Sequence, residues 1–170
     1  MRIRRLWLVV VVLFMPTAAR AHDHTADFFG GFSYADASKL WGFHTQLGTT
    51  LPWLDYDLSA VGDLTIHVGT HDRADLTRVT FLGGLRYTPT KTRLLKNVVS
   101  FHALLGGVHD ADADSSNDLA LAVGVGWEYL PKGKDSAAGW GVKVQADYAF
   151  SQGESFPRVS AGVVYRIKKP

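Results

Sequence analysis

No cysteine occurs in the 170 residues, so the chain has neither disulfides nor thiolate metal ligands to hold it together. After Met15 no stretch approaches the ~18 consecutive apolar residues of a membrane-spanning helix. Helical periodicity is absent from the same region, and no Lys/Arg cluster forms a footprint for nucleic acid. What remains is a chain that is 46% hydrophobic and carries 17 glycines. It must be stabilised by packing or by backbone pairing alone.

The first 21 residues have a different character. Arg2, Arg4 and Arg5 are followed by an apolar run from Leu6 to Met15, a break at Pro16 and the small-x-small triplet Ala19-Arg20-Ala21. This is the pattern of a secretory signal peptide, with cleavage expected after Ala21 and residues 22–170 forming one domain. Ten apolar residues rise only ~15 Å as a helix, about half a bilayer core, which argues against an anchor. Without Arg2, Arg4, Arg5 and Arg20 the 18 basic side chains fall to 14 against 16 acids, and the formal charge turns from +2 to −2. The slight basicity of the whole chain is therefore no sign of a nucleic-acid partner.

From Asp27 to Ile167 bulky apolar residues take every second position in eight segments. Val159, Ala161, Val163, Tyr165 and Ile167 alternate with Arg158, Ser160, Gly162, Val164 and Arg166. A period of two sends successive side chains to opposite faces of a strand. The pattern predicts strands at 27–35, 40–50, 53–63, 76–88, 97–108, 117–130, 139–151 and 156–167. Turn residues separate them, as at Thr88-Pro89-Thr90 and Pro131-Lys132-Gly133.

A soluble eight-stranded barrel hides its apolar face and shows water a face rich in Lys and Glu; a membrane barrel does the reverse. Here the polar faces are small: Ala120, Ala122, Gly124, Gly126 and Glu128 on the sixth strand, and Gly42, His44, Gln46 and Gly48 on the second. They suit a narrow lumen. The opposite faces, such as Trp140, Val142, Val144, Ala146, Tyr148 and Phe150, carry no charge. With both termini in the periplasm, Phe28, Trp53, Tyr56, Tyr87, Phe101, Trp127, Tyr129, Trp140 and Tyr165 fall near one rim. Tyr34, Trp41, Tyr148 and Phe150 fall near the other, as interfacial aromatic belts do.

Trp41-Gly42-Phe43-His44 running to Pro52-Trp53, Phe81-Leu82-Gly83-Gly84-Leu85-Arg86-Tyr87, Val144-Gln145-Ala146-Asp147-Tyr148 and Ser160-Ala161-Gly162-Val163-Val164-Tyr165-Arg166 occur in the order found in a known family. Over nearly all of residues 22–170 the chain resembles the small outer-membrane β-barrel proteins of the OmpA/OmpX-like transmembrane type. The resemblance implies an all-β, eight-stranded antiparallel up-and-down transmembrane barrel. It also implies a Gram-negative outer membrane as location, with lipid, lipopolysaccharide and the barrel-insertion machinery as partners. Such barrels usually end on an aromatic residue; Ile167 stands there instead, before Lys168, Lys169 and Pro170.

The candidate site is the lumen. Asp55, Asp57, Glu128 and Asp147 are predicted to face inward, as are Arg86, Lys143, Arg158 and Arg166. An eight-stranded barrel is filled by its side chains, so these charges are expected to pair and fix register rather than line a water column. His44 and His102 are predicted inward, and His67, His71 and His109 towards the outer connections at 36–39, 64–75, 109–116 and 152–155. No zinc-ligand spacing, nucleophile elbow or oxyanion loop accompanies the histidines, so no catalysis, metal or cofactor is expected. Asp110-Ala111-Asp112-Ala113-Asp114 resembles the start of a calcium loop, but Ser115 and Leu121 stand where Gly and Glu are required. Cleavage after Ala21 would expose His22-Asp23-His24, a sequence able to chelate Cu(II) or Ni(II). The leading expectation is a structural or surface-interaction protein. A narrow ion or solute pore and a soluble periplasmic ligand-binding barrel are the alternatives.

Overall fold

In the computed structural model, residues 24–36, 39–51, 54–71, 74–89, 96–111, 116–131, 138–151 and 154–169 are described. They form eight strands: β1 His24–Ala35, β2 Leu40–Leu51, β3 Asp55–His71, β4 Ala74–Tyr87, β5 Asn97–Ala111, β6 Ser116–Tyr129, β7 Ala138–Ser151 and β8 Glu154–Lys169. Each pairs antiparallel with the next, and β8 returns to β1 to close the barrel. Closure leaves no strand edge along the wall, so backbone donors and acceptors are satisfied without solvent. We call the end carrying His24 and Lys169 the terminal end and the other the distal end.

The side chains alternate as the period of two requires. Along β7, Gly141, Lys143, Gln145, Asp147 and Ala149 are buried while Val142, Val144, Ala146, Tyr148 and Phe150 are exposed. The apolar face therefore looks outward. Val123, Val142 and Val163 are 40%, 48% and 47% exposed, whereas Arg158, Lys143 and Glu128 are among the most deeply buried side chains. Trp140 stacks on Tyr165 near the terminal end, and Tyr34 on Trp41 near the distal end. Glycine permits the tight wall where β1 meets β8. Gly31 lies opposite Gly162, and a Cβ on either would run into the other strand's backbone.

The largest departure from the expected strand boundaries is at the β3–β4 hairpin. β3 does not stop near residue 63 but runs to His71, and β4 starts at Ala74. The stretch 64–75, expected to be an outer connection, is mostly a paired hairpin from Leu64↔Phe81 to His71↔Ala74. Strand length here is set by what the neighbours offer to pair with, and the polar run through Thr70 to Asp75 hides that continuation. The other distal connections occupy at most 36–39, 112–115 and 152–153 between strand ends. Trp53 and Asp112 lie outside the described residues.

Candidate functional site: the charged lumen

Six of the eight charges expected inside are placed there: Arg86, Glu128, Lys143, Asp147 and Arg158 are buried, and Arg166 is half-buried. Asp55 opens β3, and its side chain lies outside the described residues. Asp57 is half-buried near the terminal mouth, its carbonyl accepting the Thr88 N–H at 2.7 Å. The remaining two central acids are Asp27 and Asp63. Sequence reading missed both, although each shares parity with buried neighbours: Asp27 with Phe29 and Ser33, Asp63 with Val61 and Thr65.

These groups form two tiers. In the terminal tier, the Arg86 guanidinium on β4 grips Asp27 on β1 through both its terminal nitrogens, Nη1 donating to Oδ1 at 3.0 Å and Nη2 to Oδ2. Arg166 Nη2 donates to Glu128 Oε2 at 2.5 Å. Lys143 Nζ sits 3.9 Å from Glu128 Oε1, donates to Gln46 Oε1 at 2.5 Å and lies 5.2 Å from the centre of the Phe29 ring. Gln46 then donates to Asp63 Oδ2 at 3.3 Å, linking this tier to the next.

The central tier is organised by Arg158. Its Nε donates to Asp147 Oδ2 at 2.8 Å, while Nη1 donates to Asp63 Oδ1 at 3.2 Å and to Thr65 Oγ1 at 2.7 Å. Each carboxylate holds a histidine: His44 Nε2 is 2.6 Å from Asp63 Oδ2, and His102 Nε2 is 2.6 Å from Asp147 Oδ1. At that distance the imidazole nitrogen carries the proton and the carboxylate accepts it. The inward placement of His44 and His102 matches the strand parity. His67, expected towards an outer connection, is instead buried on β3, its Nε2 3.0 Å from Ser33 Oγ. The cause is the same continuation of β3. His109 stays on the outer face near the distal end beside Asn117.

Room for these side chains comes from glycine. A Cβ on Gly124 would collide with the Asp147 carboxylate and the Ala146 carbonyl, and one on Gly48 would lie 2.6 Å from Arg86 Nη2 and 2.7 Å from Asp27 Oδ1. The charges lie flat against the wall where the wall has no side chain. Four acids (Asp27, Asp63, Glu128, Asp147) and four bases (Arg86, Lys143, Arg158, Arg166) balance when the histidines are neutral.

Buried apolar side chains lie to either side of the network. Towards the distal end Leu40, Leu76, Val108 and Phe156 belong to one buried cluster; towards the terminal end Val98, Leu130 and Val164 form another. Near the distal mouth Arg78 binds Asp110 through Nε at 2.8 Å and Nη2 at 2.7 Å, so the first acid of the calcium-like stretch is engaged by a guanidinium. Among the described residues, no group of three or more His, Cys, Asp or Glu side chains is arranged to hold a metal ion.

The same architecture occurs in solved structures. Ail of Yersinia pestis in a phospholipid bilayer nanodisc superposes with a TM-score of 0.55 at 13% identity, over 86% of this chain and 100% of that one. The N-terminal β-barrel domain of Pseudomonas aeruginosa OprF gives 0.56 at 11% identity, over 84% and 97%. Neisserial surface protein A gives 0.54 at 13% identity, over 86% and 96%. The fold is that of the small outer-membrane barrels. No family model and no curated protein sequence matches the chain. At these identities the likeness establishes architecture and carries no residue roles.

Proposed function

We propose that this protein is an integral outer-membrane barrel with a structural or surface-interaction role and no catalytic activity. The observation that carries the reading is the inverted amphipathicity: an uncharged apolar wall outside and ten-odd paired polar groups inside. From Trp140 to Phe150 the outward face of β7 covers ten residue steps. At ~3.3 Å per step and ~40° tilt that is ~25 Å, the height of an outer-membrane barrel's apolar band. Water would not stabilise such a surface, whereas lipid does, and the terminal end would then face the periplasm. Lipid and lipopolysaccharide are the partners implied by that wall, and the insertion machinery by the fold. Nothing in the chain's charge pattern favours nucleic acid.

The two apolar clusters and the ion pairs between them favour a closed lumen over a pore. The short distal hairpins favour a modest surface role through the strand tips and the outer rim over a large receptor surface. One neighbour's name refers to attachment and invasion and another's to the cell surface, and a surface role here is consistent with those names. Two measurements test the reading. The protein should fractionate with outer membranes and migrate faster on gels unheated than boiled; recovery in the periplasmic supernatant would overturn it in favour of a soluble barrel. Purified protein in planar bilayers should give no conductance steps above bare-lipid leak; regular steps would replace the structural role with a pore.

A further inference from the structure

Ser100 Oγ, Gln145 Oε1 and His67 Nδ1 are buried and have no protein partner. A buried polar atom without a partner is costly, and ordered water is the usual remedy. The strand register puts all three residues on one path. Ser100 pairs with Gly126, Gly126 with Gln145, and Gln145 with Ser160. The path then crosses to Ser33 and Gly42, and runs through His67 and Arg78 to Asp110. Ser100 and Asp110 both lie on β5, so one circuit of the barrel climbs ten residues, ~33 Å along the strand. No apolar side chain interrupts this row. It reaches the distal mouth, where the Asp110 side chain is 15% exposed. It ends blind at Ser100, because the next inward residue of β5, Val98, packs with Leu130 and Val164.

We propose that this spiral row binds ordered water, with one molecule over Gly126 between Ser100 Oγ and Gln145 Oε1 and a second on His67 Nδ1. The inference rests on closure of the barrel and holds wherever the barrel sits.

Gly126 makes the room for the first molecule. It is one strand spacing, ~4.8 Å, from each of the two holders. A Cβ on it would lie 2.9 Å from Ser100 Oγ and 3.4 Å from Lys143 Cε. Gln145 Nε2 donates to Asp147 Oδ2 at 3.1 Å, so Oε1 is the atom of that amide left to accept. Water can donate to Gln145 Oε1 and exchange a second hydrogen bond with the Ser100 hydroxyl. A cation is disfavoured there by the Lys143 chain alongside, and an anion by the Gln145 carbonyl, which leaves a neutral donor. At the second position His67 Nε2 is 3.0 Å from Ser33 Oγ, which accepts from Ser160 Oγ at 3.0 Å. Whichever ring nitrogen carries the proton, Nδ1 keeps one hydrogen bond to make. Gly42 leaves the wall beside it bare. The register path through Val61, Gly84, Leu104, Ala122 and Ala149 is the dry contrast, since it carries no polar side chain over that stretch.

The test uses the full mature protein, isotope-labelled and folded in lipid nanodiscs, with nuclear magnetic resonance reading cross-relaxation to water. Contacts with water are expected at the Gln145 side-chain amide and the His67 ring, and none at the methyl groups of Leu104 and Ala122. Gly126→Ala fills the first position, and the nearest backbone atom to its Cβ is 4.0 Å away. It should remove the Gln145 contact and leave that of His67. Ser100→Ala removes one holder without adding bulk and should weaken the Gln145 contact. Unchanged heat-modifiable mobility shows that both variants fold. A missing contact at Gln145 or at His67 in the parent protein overturns that position. Equal contacts at Leu104 and Ala122 overturn the row, since the lumen would then be wet throughout. A Gln145 contact unchanged in both variants overturns the placement over Gly126.

Discussion

The two tiers of the lumen use their charges differently. In the central tier a single guanidinium, Arg158, serves two carboxylates, and those carboxylates each hold a histidine; β2, β3, β5, β7 and β8 all contribute. In the terminal tier the ions are matched in smaller groups, Arg86 with Asp27 and Arg166 with Lys143 around Glu128. Sharing concentrates dependence on one side chain. Matching spreads it, and it lets the outermost member, Arg166, keep 16% of its side chain in contact with solvent. The central tier should therefore fail at one residue, and the terminal tier should fail piecemeal.

Arg158→Met is the harshest test. It leaves Asp63 and Asp147 buried without a guanidinium, for which the expected loss is about 4–5 kcal/mol. Urea unfolding in lipid vesicles, followed by gel mobility, measures it; a loss under ~2 kcal/mol would erase the distinction between tiers. Arg86→Met should cost somewhat less, about 3–4 kcal/mol, because one carboxylate is stranded instead of two. Adding Asp27→Asn should recover a good part of that loss, and a double-mutant cycle reads the recovery directly. The beds beneath the two tiers should differ as well. Gly124→Ala forces a Cβ against a neighbouring backbone carbonyl as well as Asp147, for about 1–3 kcal/mol. The atoms nearest a Cβ on Gly48 are side-chain ends of Arg86 and Asp27 rather than backbone, so Gly48→Ala should cost less in the same assay. Arg166→Gln should have the smallest effect of the three arginine substitutions, about 1–3 kcal/mol for the lost charged hydrogen bond, because Glu128 keeps Lys143 3.9 Å away. An effect as large as that of Arg158→Met would mean that the terminal tier is not matched piecemeal.

Alternation together with the composition of the two faces pointed to the barrel, and alternation put Arg86, Glu128, Lys143, Asp147, Arg158 and Arg166 on the inward face. These residues lie within strands whose alternation is uninterrupted. Asp63 and His67 were not legible in the same way. Asp63 is the last residue of the predicted third strand and His67 lies beyond it, before polar residues that look like a turn until β2 and β4 are seen to pair with this stretch through Trp41↔Val68 and Val68↔Thr77. Asp27 shares the inward parity of Phe29 and Ser33 but opens the predicted first strand, where a carboxylate usually meets water. Here it meets Arg86, 59 positions along the chain.

The local order of side chains determined which face is apolar, because a strand's two faces are fixed by the period of the pleat. Which ions meet was decided by closure. Bending the sheet until β8 reached β1 brought Arg158 between Asp63, 95 residues away, and Asp147, and no pattern within a single strand contains a distance across the lumen.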